Sequence, residues 1–253
     1  MYIAGLGIIF SGGRGIISFE EALENRNPNP SSLSKKVSTQ VLIDKIVLKE
    51  ARRADDFTKM AVLAANDAFV DSGLNQEAKK SLGVIVATAF GPHVTTFRFL
   101  DDILTYGDKG VSPTLFSHSV HNAAASYIAS NLESRGPTLT LTQFKNSFYQ
   151  AIIIAQCWLK EKRCENVLIG GLDQLGKEME YILNLKAKEI MPQEGSAFFL
   201  ATENKDLNKY CSVSIDVAKT NQLFDTTVNS FDLVKSVLLA KNDKAKTNKI
   251  ISF

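Results

Sequence analysis

Short apolar runs alternate along this chain with stretches of helical periodicity. Ile3–Phe10 is apolar apart from Gly5 and Gly7 and predicts a buried strand, ending at the Gly12-Gly13 turn. A short helix over Phe19–Asn25 follows, and Asn27–Ser34, rich in Pro, Asn and Ser, predicts a loop. In Ala54–Ser72 the apolar positions Phe57, Met60, Ala61, Ala64, Ala65, Ala68 and Phe69 recur at helical spacing, which predicts a helix with one buried face, stopped by Gly73. Leu82–Ala89 predicts a second buried strand and Thr95–Leu104 a helix. Asn122–Leu132 predicts a helix of small residues suited to close packing.

Thr138–Thr142 alternates Thr and Leu, the pattern of a strand with one apolar and one polar face. Ser147 and Gln150 have the spacing of a capping box, predicting a helix from there to about Lys162. Val167–Gly170, Ser196–Ala201 and Ser212–Val217 predict strands and Phe231–Ala240 a helix. Strands separated by helices imply an α/β fold with a mixed or largely parallel sheet covered on both faces. Neither an internal repeat nor a dividing linker is visible, so one domain over 1–253 is the simplest organisation.

Composition narrows the function. The 253 residues suffice for a sizeable core, and 45% hydrophobic with 22% charged residues is an ordinary globular balance. A formal charge of +2 gives no general attraction to nucleic acid. The lysines of Lys241–Lys249 read as a solvated turn. Cys157, Cys164 and Cys211 show no paired spacing, which fits free thiols in a reducing cytoplasm. The opening Met-Tyr-Ile-Ala-Gly does not have the form of a signal peptide, and the longest apolar stretches, such as Ala151–Ala155, are too short for membrane insertion.

Catalytic patterns are scarce. The glycines at 5, 7, 12 and 13 do not make G-x-G-x-x-G, since position 10 is Phe, and neither a phosphate-binding loop nor H-E-x-x-H occurs. No cofactor is expected. His118 and His121 could share one face of a helical turn as metal ligands, but no acidic or cysteine partner is near in sequence, so a hydrogen-bonding role is the preferred reading and no metal site is expected. Cys157, between Gln156 and Trp158, reads as a small core residue.

Several segments in order resemble the ketosynthases of the thiolase superfamily: Met1–Phe10, Phe19–Leu23, Arg52–Leu74, Gly83–Thr96, Ser112–Ala129 with its Asn122-Ala123-Ala124-Ala125, Gly136-Pro137, Gly170-Gly171-Leu172-Asp173 and Glu194-Gly195. The resemblance implies a layered αβα sandwich with a mixed sheet, the amino-terminal half of a ketosynthase over 1–203, with 204–253 as a short extension packing on it. In that family a cysteine nucleophile begins a buried helix, where the helix dipole favours the thiolate that accepts an acyl group. Counted from Gly136-Pro137, or back from Asp173, its place here is Lys145. A lysine cannot form a thioester, and its charge is disfavoured at that helix end, so it must reach solvent, pair with an acid or become neutral.

Phe148 stands where the family has a glycine, which predicts a filled pocket. The family's decarboxylating histidines come from a second half, and the sequence ends at Phe253, about where that half would reach its first histidine motif. No catalytic residue is therefore assigned. Ser119–Ala123 and Asn146–Phe148 most resemble the short chain-length-factor-like proteins of aryl polyene and related polyketide clusters.

That resemblance implies a non-catalytic subunit of an active ketosynthase heterodimer, meeting acyl carrier protein only indirectly. Thr138, Leu139, Thr140, Leu141 and Thr142 would pair with the partner's strand, together with Asn122 and the helix after it. Phe144, Lys145 and Phe148 would close one end of the partner's acyl tunnel and limit product length. Two alternatives remain at this level. One is a structural stabiliser of the partner; the other is an independent acyltransferase or hydrolase, for which Ser147 and Ser119 are nucleophiles in name only. Half of a duplicated fold should also leave an apolar face to be covered by Ser212–Phe253 or by a partner.

Overall fold

The computed structural model describes residues 1–24, 36–186, 193–214, 235 and 250–252. The first strand, β1 (Tyr2–Phe10), is followed by the two-residue β2 (Gly13–Arg14) and helix α1 (Ile16–Glu24). Helix α2 (Asp56–Ser72) leads to β3 (Leu82–Thr88), α3 (His93–Tyr106), α4 (Pro113–Ser119) and α5 (Ala123–Asn131). Next come β4 (Thr138–Thr142), α6 (Ser147–Lys160), β5 (Asn166–Asp173), α7 (Lys177–Lys186) and β6 (Gly195–Thr202). Strands β7 (Ser212–Ser214) and β8 (Ile250–Ser252) close the order. The expected helix over Phe231–Ala240 and the lysine-rich turn lie, apart from Lys235, outside the described residues.

All eight strands form one mixed sheet in the order β4-β3-β5-β6-β1-β7-β8, with β2 paired to β1. β3 runs parallel to both β4 and β5, whereas β6 is antiparallel to β5 and to β1. Two packed layers lie on opposite faces. One holds α1 and α6 residues such as Phe19, Phe148, Ile152 and Leu159 against Ile85, Ile169 and Phe199; the other holds α2 and α5 against Val84, Leu168 and Phe198. The result is an αβα sandwich.

Helix α2 departs from the expected single buried face. Asp55 caps it, accepting the Thr58 N–H at 2.9 Å, and Gly73 ends it in the left-handed conformation, but Val62 and Leu63 are buried along with the expected residues. The reason is tertiary: α5 packs against α2 within the same layer and covers a further side of it. On the sheet side the approach is very close. A Cβ on Gly5 would lie 2.1 Å from the Ala68 carbonyl oxygen, and one on Gly7 2.0 Å from that of Ala64. The glycines of the first strand thus serve helix–sheet packing.

Long-range polar ties fix the same region. Asp71 on α2 accepts the Leu6 N–H at 2.9 Å, where the β1–β6 register shifts, and the Tyr210 hydroxyl at 2.7 Å. Arg14 reaches from β2 to Asp67 on α2 at 2.6 Å and to Asp44 at 3.1 Å. The Arg14 guanidinium is held further in its charged form, chiefly by the Asp67 hydrogen bond.

Candidate functional site

The β4–α6 connection and the first turn of α6 carry Phe144, Lys145 and Phe148, the residues that the resemblance singles out. β4 lies at the end of the sheet and, among the described residues, pairs with β3 alone, so its outer edge carries unpaired backbone groups. Leu139 and Leu141 pack against the α6 layer, whereas Thr138, Thr140 and Thr142 alternate with them, as the pattern predicts. The strand is half-buried to exposed throughout, and Asn122, at the start of α5, is exposed.

After β4 the chain turns back through Gln143, whose N–H donates to the Thr88 carbonyl at 3.1 Å. Asn146 then adopts φ 63°, a left-handed conformation that asparagine accepts more readily than most residues. It occupies the N-cap of α6 without a side-chain capping bond, so Ser147 is the first helical residue and not the cap its spacing suggests. The Gln150 side chain instead donates to Gln143 at 2.7 Å. This bond crosses the turn and holds the strand end to the helix start.

Phe144, Lys145 and Phe148 do not form one surface. Lys145 is exposed and has no ion pair among the described residues, so hydration offsets the unfavourable placement of a cation at a helix amino terminus. Phe144 is 80% exposed, and its ring rests against Phe90 at 5.6 Å between centroids. Phe148 turns inward: it is 4% exposed and packs on Phe199 at 5.8 Å. Side-chain volume fills the interior, while a cation and an aromatic ring face outward.

Asp173, at the end of β5, supports this loop from below. Its carboxylate accepts the Thr88 hydroxyl at 2.8 Å and the N–H groups of Ala89 and Phe90 at 2.9 and 3.2 Å. Burial pushes its pKa up to about 6, against the opposing effect of these donors. The Thr88–Gly91 turn held in this way presents Phe90 to Phe144. His93 continues the support: its ring lies 6.0 Å from Phe90, and Nε2 accepts the Gly176 N–H at 3.1 Å. Burial lowers the His93 pKa, favouring the neutral ring this bond requires. No sequence spacing singled out Phe90 or His93, because both act through contacts formed only when β3 lies between β4 and β5.

The other candidates separate. His118 is buried and stacked on Tyr127, whereas His121 is exposed with its ring over Gly91. Among the described residues no group of three or more His, Cys, Asp and Glu side chains gathers in a form that could hold a metal ion. Ser119 is half-buried, and its hydroxyl donates to the Phe116 carbonyl at 2.9 Å. Cys157 is exposed, contrary to its reading as a core residue. The buried stripe of α6 runs through Phe148, Ala151, Ile152, Ala155 and Leu159, and position 157 falls on the outward side with Lys160. Among the described residues no helix is long and apolar enough to cross a membrane.

Comparison with known proteins places this geometry. Residues 8–204 match the family described as β-ketoacyl synthase, N-terminal domain. The chain belongs to that family, and its fold is the thiolase-like fold of ketosynthases. It is 27% identical over 128 residues to 3-oxoacyl-[acyl-carrier-protein] synthase 2 of Coxiella burnetii, a match covering 50% of this chain and 31% of that protein. The protein of the same name from Staphylococcus aureus is 30% identical over 96 residues, covering 37% of this chain and 24% of that one.

Among solved structures, the ishigamide ketosynthase/chain length factor superposes with a TM-score of 0.65 at 18% identity, over 81% of this chain and 62% of that one. A ketosynthase in complex with its chain length factor from Xenorhabdus doucetiae gives 0.60 at 15% identity, over 80% of this chain and 78% of that one. The matched stretches are thus less than a third of these curated relatives and under two thirds of the ishigamide chain.

Proposed function

We propose that this chain is a non-catalytic, chain-length-factor-type subunit that pairs with an active β-ketoacyl synthase in polyketide or aryl polyene biosynthesis. The observation that carries this reading is Lys145: the ketosynthase scaffold is kept around the β4–α6 turn, yet the nucleophile's place holds a solvated lysine. An ammonium group cannot take up and release an acyl chain as a thioester does. The partner supplies the thiolate and makes the contact with acyl carrier protein. The exposed Phe144 and Lys145 close one end of the partner's acyl tunnel, while Phe148 fills this chain's own interior beneath them.

The open edge of β4 supports the pairing. A strand from the partner laid antiparallel along it would satisfy the unpaired backbone groups, with the exposed threonines and Asn122 at the contact. The deciding measurement is the native mass of the chain expressed alone and with the ketosynthase encoded beside it, together with condensation activity. A one-to-one complex that alone shows activity supports the subunit reading. A chain that ignores the ketosynthase, or that acquires a stable acyl adduct when incubated alone with acyl-carrier thioesters, overturns it.

Product length separates a ruler from a mere stabiliser. Phe144→Ala in the intact complex should lengthen products. Unchanged product lengths at lower yield on loss of the chain leave only a stabilising role.

A further inference from the structure

Helix α3 is amphipathic, yet its apolar half is exposed over most of its length. With the turn of an α-helix, Phe97, Leu104, Leu100, Ile103, Phe99 and Tyr106 follow one another around one half of it, and Asp101, Thr105, Arg98 and Asp102 fill the other. A surface helix ordinarily turns such an apolar half into its own core. Here α4 packs on α3 and covers the Phe99 side, where the Phe99 and Phe116 rings lie 5.6 Å apart. Phe97, Leu100, Leu104 and Tyr106 stay exposed, Leu104 at 84%, and Phe116 and Val120 extend the apolar surface along α4 to its end. So many large apolar side chains exposed together mark an interaction surface.

Two observations bear on what covers it. The first is continuity with the β4 edge. Phe144, just past β4, rests on Phe90, and Phe90 lies 6.0 Å from the ring of His93, the first residue of α3. On the other side the Thr96 hydroxyl donates at 3.1 Å to the carbonyl of Ser119, three residues before Asn122. The second is size. A stable, specific interface takes about 800 Å² from each partner, on the order of 20–30 residues. The five residues of β4, half-buried to exposed, cannot supply that alone. The adjoining α3–α4 face supplies the apolar centre such an interface needs, with the charged half of α3 at its rim.

We propose that the exposed apolar half of α3, together with Phe116, is the second part of the docking surface for the ketosynthase partner, covered by an apolar surface of that partner while its strand lies along β4. This rests on the pairing inferred above. It divides the contact in two: β4 supplies backbone hydrogen bonds and α3–α4 supplies apolar area, with Leu104 as the most exposed anchor.

The test is the affinity of the full chain for the ketosynthase encoded beside it, measured for the unchanged chain, Leu104→Asp and Ile46→Asp. Both positions are exposed, Ile46 at 89% and outside α3 and α4, so neither change should disturb the fold, which an unchanged Tm verifies. Leu104→Asp should weaken the complex at least about tenfold, because it buries a carboxylate in an apolar contact, while Ile46→Asp leaves it intact. In a Cys157→Ser background, Leu104→Cys carrying a benzophenone label should cross-link to the ketosynthase on illumination. Full affinity in Leu104→Asp, or equal weakening in both variants, overturns the proposal and leaves pairing through β4 standing. So does a cross-link to a second copy of this chain alone. An unchanged chain that does not bind the ketosynthase sinks the pairing itself, and this proposal with it.

Discussion

Replacing Phe148 by alanine removes a ring that is 4% exposed, lies 5.8 Å from the Phe199 ring and belongs to the packed layer between α6 and the sheet. Truncations of this kind cost about 3–5 kcal/mol, the lost transfer energy plus the cavity left behind. In a chain of 253 residues, with a shift of roughly 2–4 °C per kcal/mol, that is a fall in Tm of roughly 6–20 °C. Phe144→Ala provides the contrast. That ring is 80% exposed and its ring contact is with Phe90 at 5.6 Å, so its loss should change stability by no more than about 1 kcal/mol. Urea unfolding followed by far-UV circular dichroism gives both midpoints, and an unchanged slope shows that the denatured state is unaltered. In the complex with a ketosynthase, Phe144→Ala should then alter product length without loss of stability. The reasoning fails if Phe148→Ala unfolds within about 1 kcal/mol of the unchanged chain, or if Phe144→Ala is the more damaging substitution.

Three further outcomes are expected. A thiol reagent should titrate one cysteine, Cys157, in the folded chain and all three in denaturant, because Cys164 and Cys211 are buried and burial pushes their thiols up to about 11 and about 12; three fast-reacting thiols at neutral pH would contradict the packing. Asp173, pushed up to about 6, binds its proton in the folded chain before the unfolded chain does near 3.9. Its contribution to stability therefore grows as pH falls from about 6 to about 4, by at most roughly 3 kcal/mol, and is lost again as pH rises through that window. The stability difference between the chain and Asp173→Asn, measured from pH 4 to pH 7 (about the range between the two titrations), should follow that slope, and a flat difference would refute it. Gly7→Ala places a Cβ 2.0 Å from the Ala64 carbonyl oxygen, which only a shift of α2 can relieve, so Tm should drop by the equivalent of about 1–3 kcal/mol; an unchanged Tm would show that the helix does not approach the strand so closely.

Local pattern was enough for the elements themselves. The apolar runs of β1, β3 and β6 are legible because strands buried on both faces carry few polar residues, and the apolar positions from Phe57 to Phe69 with the stop at Gly73 mark the course of α2 within two residues. The assignment of Lys145 to the nucleophile's place, on which the proposed function rests, also needs the sequence alone, since it depends only on the resemblance and on counting from Gly136-Pro137 and from Asp173. What tertiary structure decided is which groups meet. Sheet order placed β4 at an open edge and set β3 between β4 and β5, which brings Asp173 under the Thr88–Gly91 turn on one side and Phe144 against Phe90 on the other. The outward position of Cys157, the second covered side of α2 and the inward turn of Phe148 likewise followed from neighbours distant in sequence. Periodicity reports that a face is buried, but the partner that buries it lies elsewhere along the chain, and its identity is fixed by the packing of the whole.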